Sequence, residues 1–177
     1  MRSGGVMADK KPDNCLKKGG SAAVIAGRLL KDGKRSLTVA FAESCTGGLA
    51  SSMMTDIAGS SDYFVGSIVA YSNDVKMKLL GVKAGTLKKY GAVSAQTAVE
   101  MAFGVRKKLS SVIGVAITGI AGPSGGSFEK PVGTVFICVD SPKKRVVREF
   151  HFKGNRTAIK KRSACAALNL LIEFLDS

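Results

Sequence analysis

Short unbroken apolar runs alternate with helically spaced apolar stripes along most of this chain, and each pattern predicts an element. A helix is predicted over 21–31, with Gly33 as its stop signal. The run 37–42 reads as a first strand, and the helix after it ends near Gly59. A second strand over 65–71 leads into a short helix over 73–80, capped by Asn73 and closed by Gly81. Ser94 is placed to cap an amphipathic helix whose apolar positions include Ala98, Met101, Ala102, Val105 and Leu109. The third strand, 112–117, is continuously apolar, the pattern of a strand covered on both faces.

Residues 118–127 are too rich in glycine to form an element. A fourth strand over 133–140 turns through Ser141-Pro142-Lys143-Lys144 into a fifth over 145–153, and so short a connection makes the two antiparallel. The last helix is predicted over 157–175, with Ile159, Leu168, Leu171, Ile172 and Leu175 facing inward. Helices separating the early strands, with a hairpin late, predict an α/β fold: a three-layer α/β/α sandwich around a mixed, mostly parallel five-stranded sheet. Residues 1–20 are poor in apolar side chains and are expected to be a disordered tail on a single domain over 21–177.

Composition narrows the function classes. With 177 residues and 45% hydrophobic content, the chain can bury one sizeable core. No run approaches the roughly 20 apolar residues of a membrane span, and no apolar stretch follows the basic N-terminus as a secretory signal would require. Cys15, Cys45, Cys138 and Cys165 have no C-x-x-C spacing. Cys138 and Cys165 read as small core residues, which fits a reducing, cytoplasmic setting. The formal charge of +14 is concentrated towards the two ends. It is the footprint of nucleic-acid binding, but only 6% of residues are aromatic and no recognition helix or zinc-finger spacing accompanies it. A solvated surface, or an enzyme for anionic metabolites, accounts for the charge better; neither a membrane nor nucleic acid is the expected partner, and a homo-oligomer stays open.

The candidate chemistry lies in Glu43-Ser44-Cys45-Thr46-Gly47-Gly48, where a strand runs into a tight turn that opens a helix. Free backbone N–H groups and the positive helix end make such a turn a site for an anion or oxyanion. Ser44, Cys45 and Thr46 put three nucleophiles there, although Ser44 or Thr46 as a helix cap is the ordinary structural alternative. His151 is the single histidine, which argues against a Ser-His-Asp triad and a multi-histidine metal site. No P-loop or G-x-G-x-x-G is present, so no cofactor is expected. A base is available in Tyr71-Ser72-Asn73-Asp74-Val75-Lys76. A lysine in the first helical turn opposes the helix dipole, and that field together with burial favours the neutral amine. A solvated surface lysine is the alternative; a Ser–Lys pair is a known substitute for the histidine triad.

Five segments, in order, resemble the CinA C-terminal domain family, which includes the nicotinamide mononucleotide deamidases. They are Ala42-Glu43-Ser44-Cys45-Thr46-Gly47-Gly48, Tyr71-Ser72-Asn73-x-x-Lys76, Gly91-Ala92-Val93-Ser94, Thr118-Gly119-Ile120-Ala121-Gly122-Pro123 and Lys130-Pro131-Val132-Gly133-Thr134-Val135. The resemblance implies the three-layer fold and hydrolysis of nicotinamide mononucleotide to nicotinate mononucleotide and ammonia. It also implies Ser44 as nucleophile and Lys76 as base, and a form without the N-terminal domain of longer members. Cys45, Thr46, Gly47 and Gly48 are then expected at the oxyanion, Tyr71 at the ring or at Lys76, and Thr118, Gly119 and Arg156 at the phosphate. The family often has an acidic residue before that arginine, where this chain has Asn155. A non-catalytic nucleotide- or DNA-binding accessory protein and a hydrolase of another amide remain the competing expectations.

Overall fold

The computed structural model describes residues 15–17, 20–32 and 37–177. A two-residue hairpin pairs β1 (Leu16–Lys17) with β2 (Gly20–Ser21), followed by α1 (Ala22–Asp32). Then come β3 (Val39–Glu43), α2 (Leu49–Thr55), β4 (Phe64–Val69), α3 (Asn73–Leu80), α4 (Ala84–Tyr90) and α5 (Ala95–Lys108). The chain ends with β5 (Ile113–Gly119), β6 (Thr134–Asp140), β7 (Arg145–His151) and α6 (Arg156–Leu175).

The five-stranded sheet has the order β4-β3-β5-β6-β7. β3 is parallel to both of its neighbours, and β6 is antiparallel to both of its own. Four strands therefore point one way and β6 the other, the predicted mixed α/β/α sandwich. β3 and β5 are buried on both faces, and their residues divide between two cores. Val39, Phe41, Val115 and Ile117 pack with α1, α2 and α6, whereas Ala40, Ala42 and Ala116 pack with α3 and α5. The second face is built from small residues because α5 lies almost on the sheet: a Cβ on Gly114 would sit 2.1 Å from the Ala102 carbonyl oxygen.

The chain leaves β3 through α2 on one face and reaches β5 through α3–α5 on the other. β3, with β4 on one side and β5 on the other, is thus the topological switch point, and a crevice opens at its carboxyl end. The segments after β3, β4 and β5 converge there, since Glu43 is in register with both Val69 and Ile117.

Four local expectations need correction. Helix α4 was not anticipated; its one large aliphatic residue, Leu87, gives no stripe. A distant side chain holds it instead, Glu100 accepting from Lys83 N–H at 2.9 Å and from the Thr86 hydroxyl at 2.8 Å. The cap of α3 is Ser72, whose hydroxyl accepts from Val75 N–H, not Asn73. The helix after β3 stops at Thr55, before a single 3-10 turn at Ser60–Asp62. Cys165 is not a free core thiol: it is disulfide-bonded to Cys15. Most of the expected disordered tail lies outside the described residues, while its end carries this bond and the β1–β2 hairpin.

The close packing of α5 yields a test. A Cβ at Gly104 would lie 1.9 Å from the Leu80 carbonyl oxygen at the end of α3, whereas one at Gly85 in α4 meets nothing within 4 Å. Gly104→Ala should lower the denaturant-unfolding free energy by about 1–3 kcal/mol, the usual cost of overpacking. Gly85→Ala should leave it unchanged or raise it by about 0.5–1 kcal/mol, since alanine suits a helix interior better. Equal stability of the two variants would contradict the packing described.

Candidate active site

β3 ends in a buried carboxylate. Glu43 is fully buried, and the chain then turns through Ser44 to Gly48 into α2. Gly47 (φ 64°) and Gly48 (φ 96°) hold left-handed conformations, which is the reason for glycine at both positions. The Glu43 carboxylate reaches around this turn to the start of α2. It accepts from the N–H groups of Gly48 at 3.0 Å, Ala50 at 3.2 Å and Ser51 at 2.8 Å, and from the Ser51 hydroxyl at 2.6 Å. Ser44 N–H donates to the Ile117 carbonyl at 2.9 Å and Gly47 N–H to the Ser44 carbonyl at 3.1 Å. No backbone carbonyl among the described residues accepts from the N–H groups of Cys45 or Thr46; the Cys45 N–H faces its own thiol sulfur.

Lys76 arrives from the first turn of α3. It is among the largest fully buried side chains, at 1% exposure. Its Nζ lies 3.0 Å from Ser44 Oγ, 2.8 Å from the Ala70 carbonyl oxygen and 3.1 Å from that of Tyr71. No carboxylate pairs with it among the described residues. Burial holds the ammonium below the ordinary lysine range. Nζ donates to all three as an ammonium; as a neutral amine it has two N–H groups for the two carbonyls and a lone pair left for the Ser44 hydroxyl, which would then donate to it.

The rival nucleophile behaves differently. Burial pushes the Cys45 thiol up to about 12, so thiolate is scarce at neutral pH. The turn therefore offers a hydroxyl with a buried amine beside it and a thiol that stays protonated.

A cavity of about 220 Å³ opens over Ser44. Seven of the residues singled out from sequence line it: Ser44, Cys45, Tyr71, Lys76, Thr118, Gly119 and Arg156. Arg156, at the start of α6, donates to the Tyr71 hydroxyl at 2.8 Å and to the Gly122 carbonyl at 2.7 Å, tying β4's exit to the loop after β5. Thr118 donates its hydroxyl to the Ala92 carbonyl at 2.7 Å, so it holds the Ala92–Val93 wall of the cavity. Asn155 caps α6 by accepting from Ala158 N–H at 2.9 Å, a task that Asp or Asn performs equally well.

Three of the chosen residues fall outside the lining. Thr46 is fully buried with its hydroxyl unpartnered among the described residues, Gly47 is exposed, and the Gly48 N–H is taken by Glu43. The lining also includes Asn73, Ala92, Val93 and Ala121, which sequence reasoning assigned to capping or motif context only. Glu43 was quoted as part of the turn segment but given no role. Its signal was an acidic residue closing an apolar strand just before a helix start. His151 is exposed on β7, away from this site, and no three His, Cys, Asp or Glu residues cluster as metal ligands among the described residues. No described helix is long and apolar enough to cross a membrane.

Comparison with known proteins gives a consistent picture. Residues 21–175 match the family model described as the CinA C-terminal domain. A CinA-like protein from Syntrophomonas wolfei is 50% identical over 155 residues, covering 88% of this chain and 36% of the relative. One from Thermotoga neapolitana is 52% identical over 148 residues, covering 84% and 36%. This chain thus spans about a third of the length of these curated relatives. The crystal structure of the competence/damage inducible protein CihA from Agrobacterium tumefaciens superposes with a TM-score of 0.82 at 41% identity, covering 88% of this chain and 96% of that one. A family match over nearly the whole described chain, and half of the residues shared with such relatives, make this chain a member of the CinA C-terminal domain family.

Proposed function

We propose that this chain is an amidohydrolase that converts nicotinamide mononucleotide to nicotinate mononucleotide and ammonia through a Ser44–Lys76 pair. The observation that carries the reading is the buried lysine amine 3.0 Å from a serine hydroxyl with no carboxylate to hold its charge. A lysine serving only structure would cost less as a leucine or methionine. The family resemblance of the surrounding motifs supplies the substrate.

In the proposed reaction, neutral Lys76 takes the Ser44 proton as Oγ attacks the carboxamide carbon. The carbonyl electron pair moves to oxygen, for which the N–H groups of Cys45 and Thr46, next to Ser44 in the turn and donating to no backbone carbonyl among the described residues, are the proposed donors. Collapse of the adduct breaks the C–N bond, and the Lys76 ammonium gives its proton to the departing nitrogen, which leaves as ammonia. Water then attacks the ester, losing a proton to Lys76, and Ser44 leaves with that proton to regenerate the hydroxyl. Arg156 at the cavity edge supplies the cation for the substrate phosphate.

Ammonia release from nicotinamide mononucleotide by the pure protein is the direct test; salt-sensitive retention on DNA without any turnover would favour a non-catalytic role instead. Ser44→Ala should abolish turnover, while Cys45→Ala should keep a measurable part of it because a thiol with a pKa near 12 is not the nucleophile. Loss with Cys45→Ala alone, and retention with Ser44→Ala, would reverse the roles.

The pH dependence follows from Lys76. Its pKa is lowered in the folded protein, and the active form is the unprotonated one, so kcat/KM should rise with pH through an ionisation below the free lysine value of about 10.4. Lys76→Arg should be as inactive as Lys76→Ala, since a guanidinium keeps its proton. Substantial turnover by Lys76→Arg would show that only positive charge is needed and would exclude lysine as the base.

A further inference from the structure

We infer that Glu43, which has no part in the bond-making steps above, is the positioning residue of the nucleophile turn; the inference rests on the Ser44–Lys76 reading. Glu43 is fully buried in β3, a strand that is otherwise Val, Ala and Phe, and a carboxylate is costly there unless every acceptor site is used. It meets that condition with four donors, three backbone N–H groups and the Ser51 hydroxyl, between 2.6 and 3.2 Å. All four come from Gly48, Ala50 and Ser51, at the far end of the turn that begins with Ser44. The carboxylate therefore closes a loop of its own chain. One end is fixed in the sheet, the other at the start of α2, and Ser44 to Gly47 are held between.

Two consequences follow for the site. Glu43 already occupies the Gly48, Ala50 and Ser51 donors of the helix start, so a second anion at that end of α2 would meet its carboxylate. Substrate charge is directed to the other side of the cavity, where Arg156 stands. Secondly, with Ser44, Gly47 and Gly48 N–H groups already paired, Cys45 and Thr46 are the residues of the turn whose N–H groups donate neither to a backbone carbonyl nor to Glu43 among the described residues. Glu43 thus determines which donors stand beside the reacting carbon.

Glu43→Gln replaces one acceptor oxygen by an NH₂ that must face N–H donors, and should loosen the turn without touching the cavity lining. Hydrogen–deuterium exchange over residues 44–51 should rise, while exchange around Lys76 stays unchanged. With nicotinamide mononucleotide, kcat should fall about tenfold to a hundredfold, the effect of misplacing a reacting group by about 1 Å, with KM within about twofold. Because a buried Gln variant can fail to fold, Ser51→Ala, which removes only the hydroxyl donor, gives the second arm: a smaller rise in exchange over the same segment and a few-fold loss in kcat. Unchanged exchange over 44–51 in a folded Glu43→Gln, or in Ser51→Ala if the first does not fold, overturns the inference; so does unchanged kcat. A rise in KM equal to the loss in kcat/KM also overturns it, since that would place Glu43 in substrate binding. If the wild-type chain releases no ammonia, the deamidase reading fails by itself, and the exchange experiment still decides whether Glu43 holds the turn.

Discussion

A lysine amine sealed between two strand-end carbonyls and a serine hydroxyl is the constraint on which the arrangement at this sheet edge depends. Burying an ammonium without a counter-ion costs several kcal/mol, on the order expected for any desolvated ion. The protein lowers that cost by favouring the neutral amine, and the acceptors at Ala70 and Tyr71 then fix its rotation so that the lone pair has one direction left. Everything that places Lys76 is accordingly rigid. Ser72 caps its helix from outside, and Gly81 ends it in a left-handed conformation. Gly104 lets α5 contact the Leu80 carbonyl directly, so the far end of α3 is fixed as firmly as the near one.

The site is also a consequence of topology. Crossovers on opposite faces of the sheet separate the chain ends of β4 and β5 around β3, and no helix can cover the gap between them. Ser44 and the Ala70–Tyr71 exit are the first residues beyond β3 and β4, and Thr118–Gly119 are the last two of β5, so the sheet itself sets their mutual distances. A site built on strand ends in this way inherits the precision of the ladder, whereas the lid of the cavity depends on side chains. Arg156 joins Tyr71 to Gly122, Thr118 holds Ala92, and Lys130 reaches the Tyr90 carbonyl at 2.8 Å.

How much of this was legible in the sequence depends on the range of the interaction. Strands β3 and β5, helices α5 and α6, and the β6–β7 hairpin followed from periodicity because burial repeats along each of them. Helix α4 did not, since the carboxylate that holds it, Glu100, is on α5. Ser44 and Lys76 were found separately, one by its turn and the other by its misfit with the helix dipole, and they stand 32 positions apart in the chain. Their contact is a fact of folding that no local pattern contains. Glu43 escaped for the opposite reason: a capping residue is sought within a few positions of the helix, and this one acts from inside the preceding strand, 8 residues before Ser51. The disulfide partner of Cys165 was out of reach on spacing alone, as its separation of 150 residues from Cys15 is set only by the packing of the chain start against α6.

The charge pattern around the cavity is better understood once Glu43 is counted. A helix start and a carboxylate cancel one another beneath the turn, which leaves little net field from that side. Above the turn, the lining residues that can carry charge are Lys76 and Arg156, and no acidic side chain is among them. Burial biases the amine towards losing its proton, whereas the Arg156 guanidinium is tied at the cavity edge to the Tyr71 hydroxyl and the Gly122 carbonyl. Under the proposed function, a nucleotide with its phosphate towards Arg156 would meet a cation at the edge and, at depth, an amine that burial biases towards its neutral form. On that reading, an anionic, amide-bearing ligand would be oriented with its amide inward by the same burial gradient that lowers the Lys76 pKa.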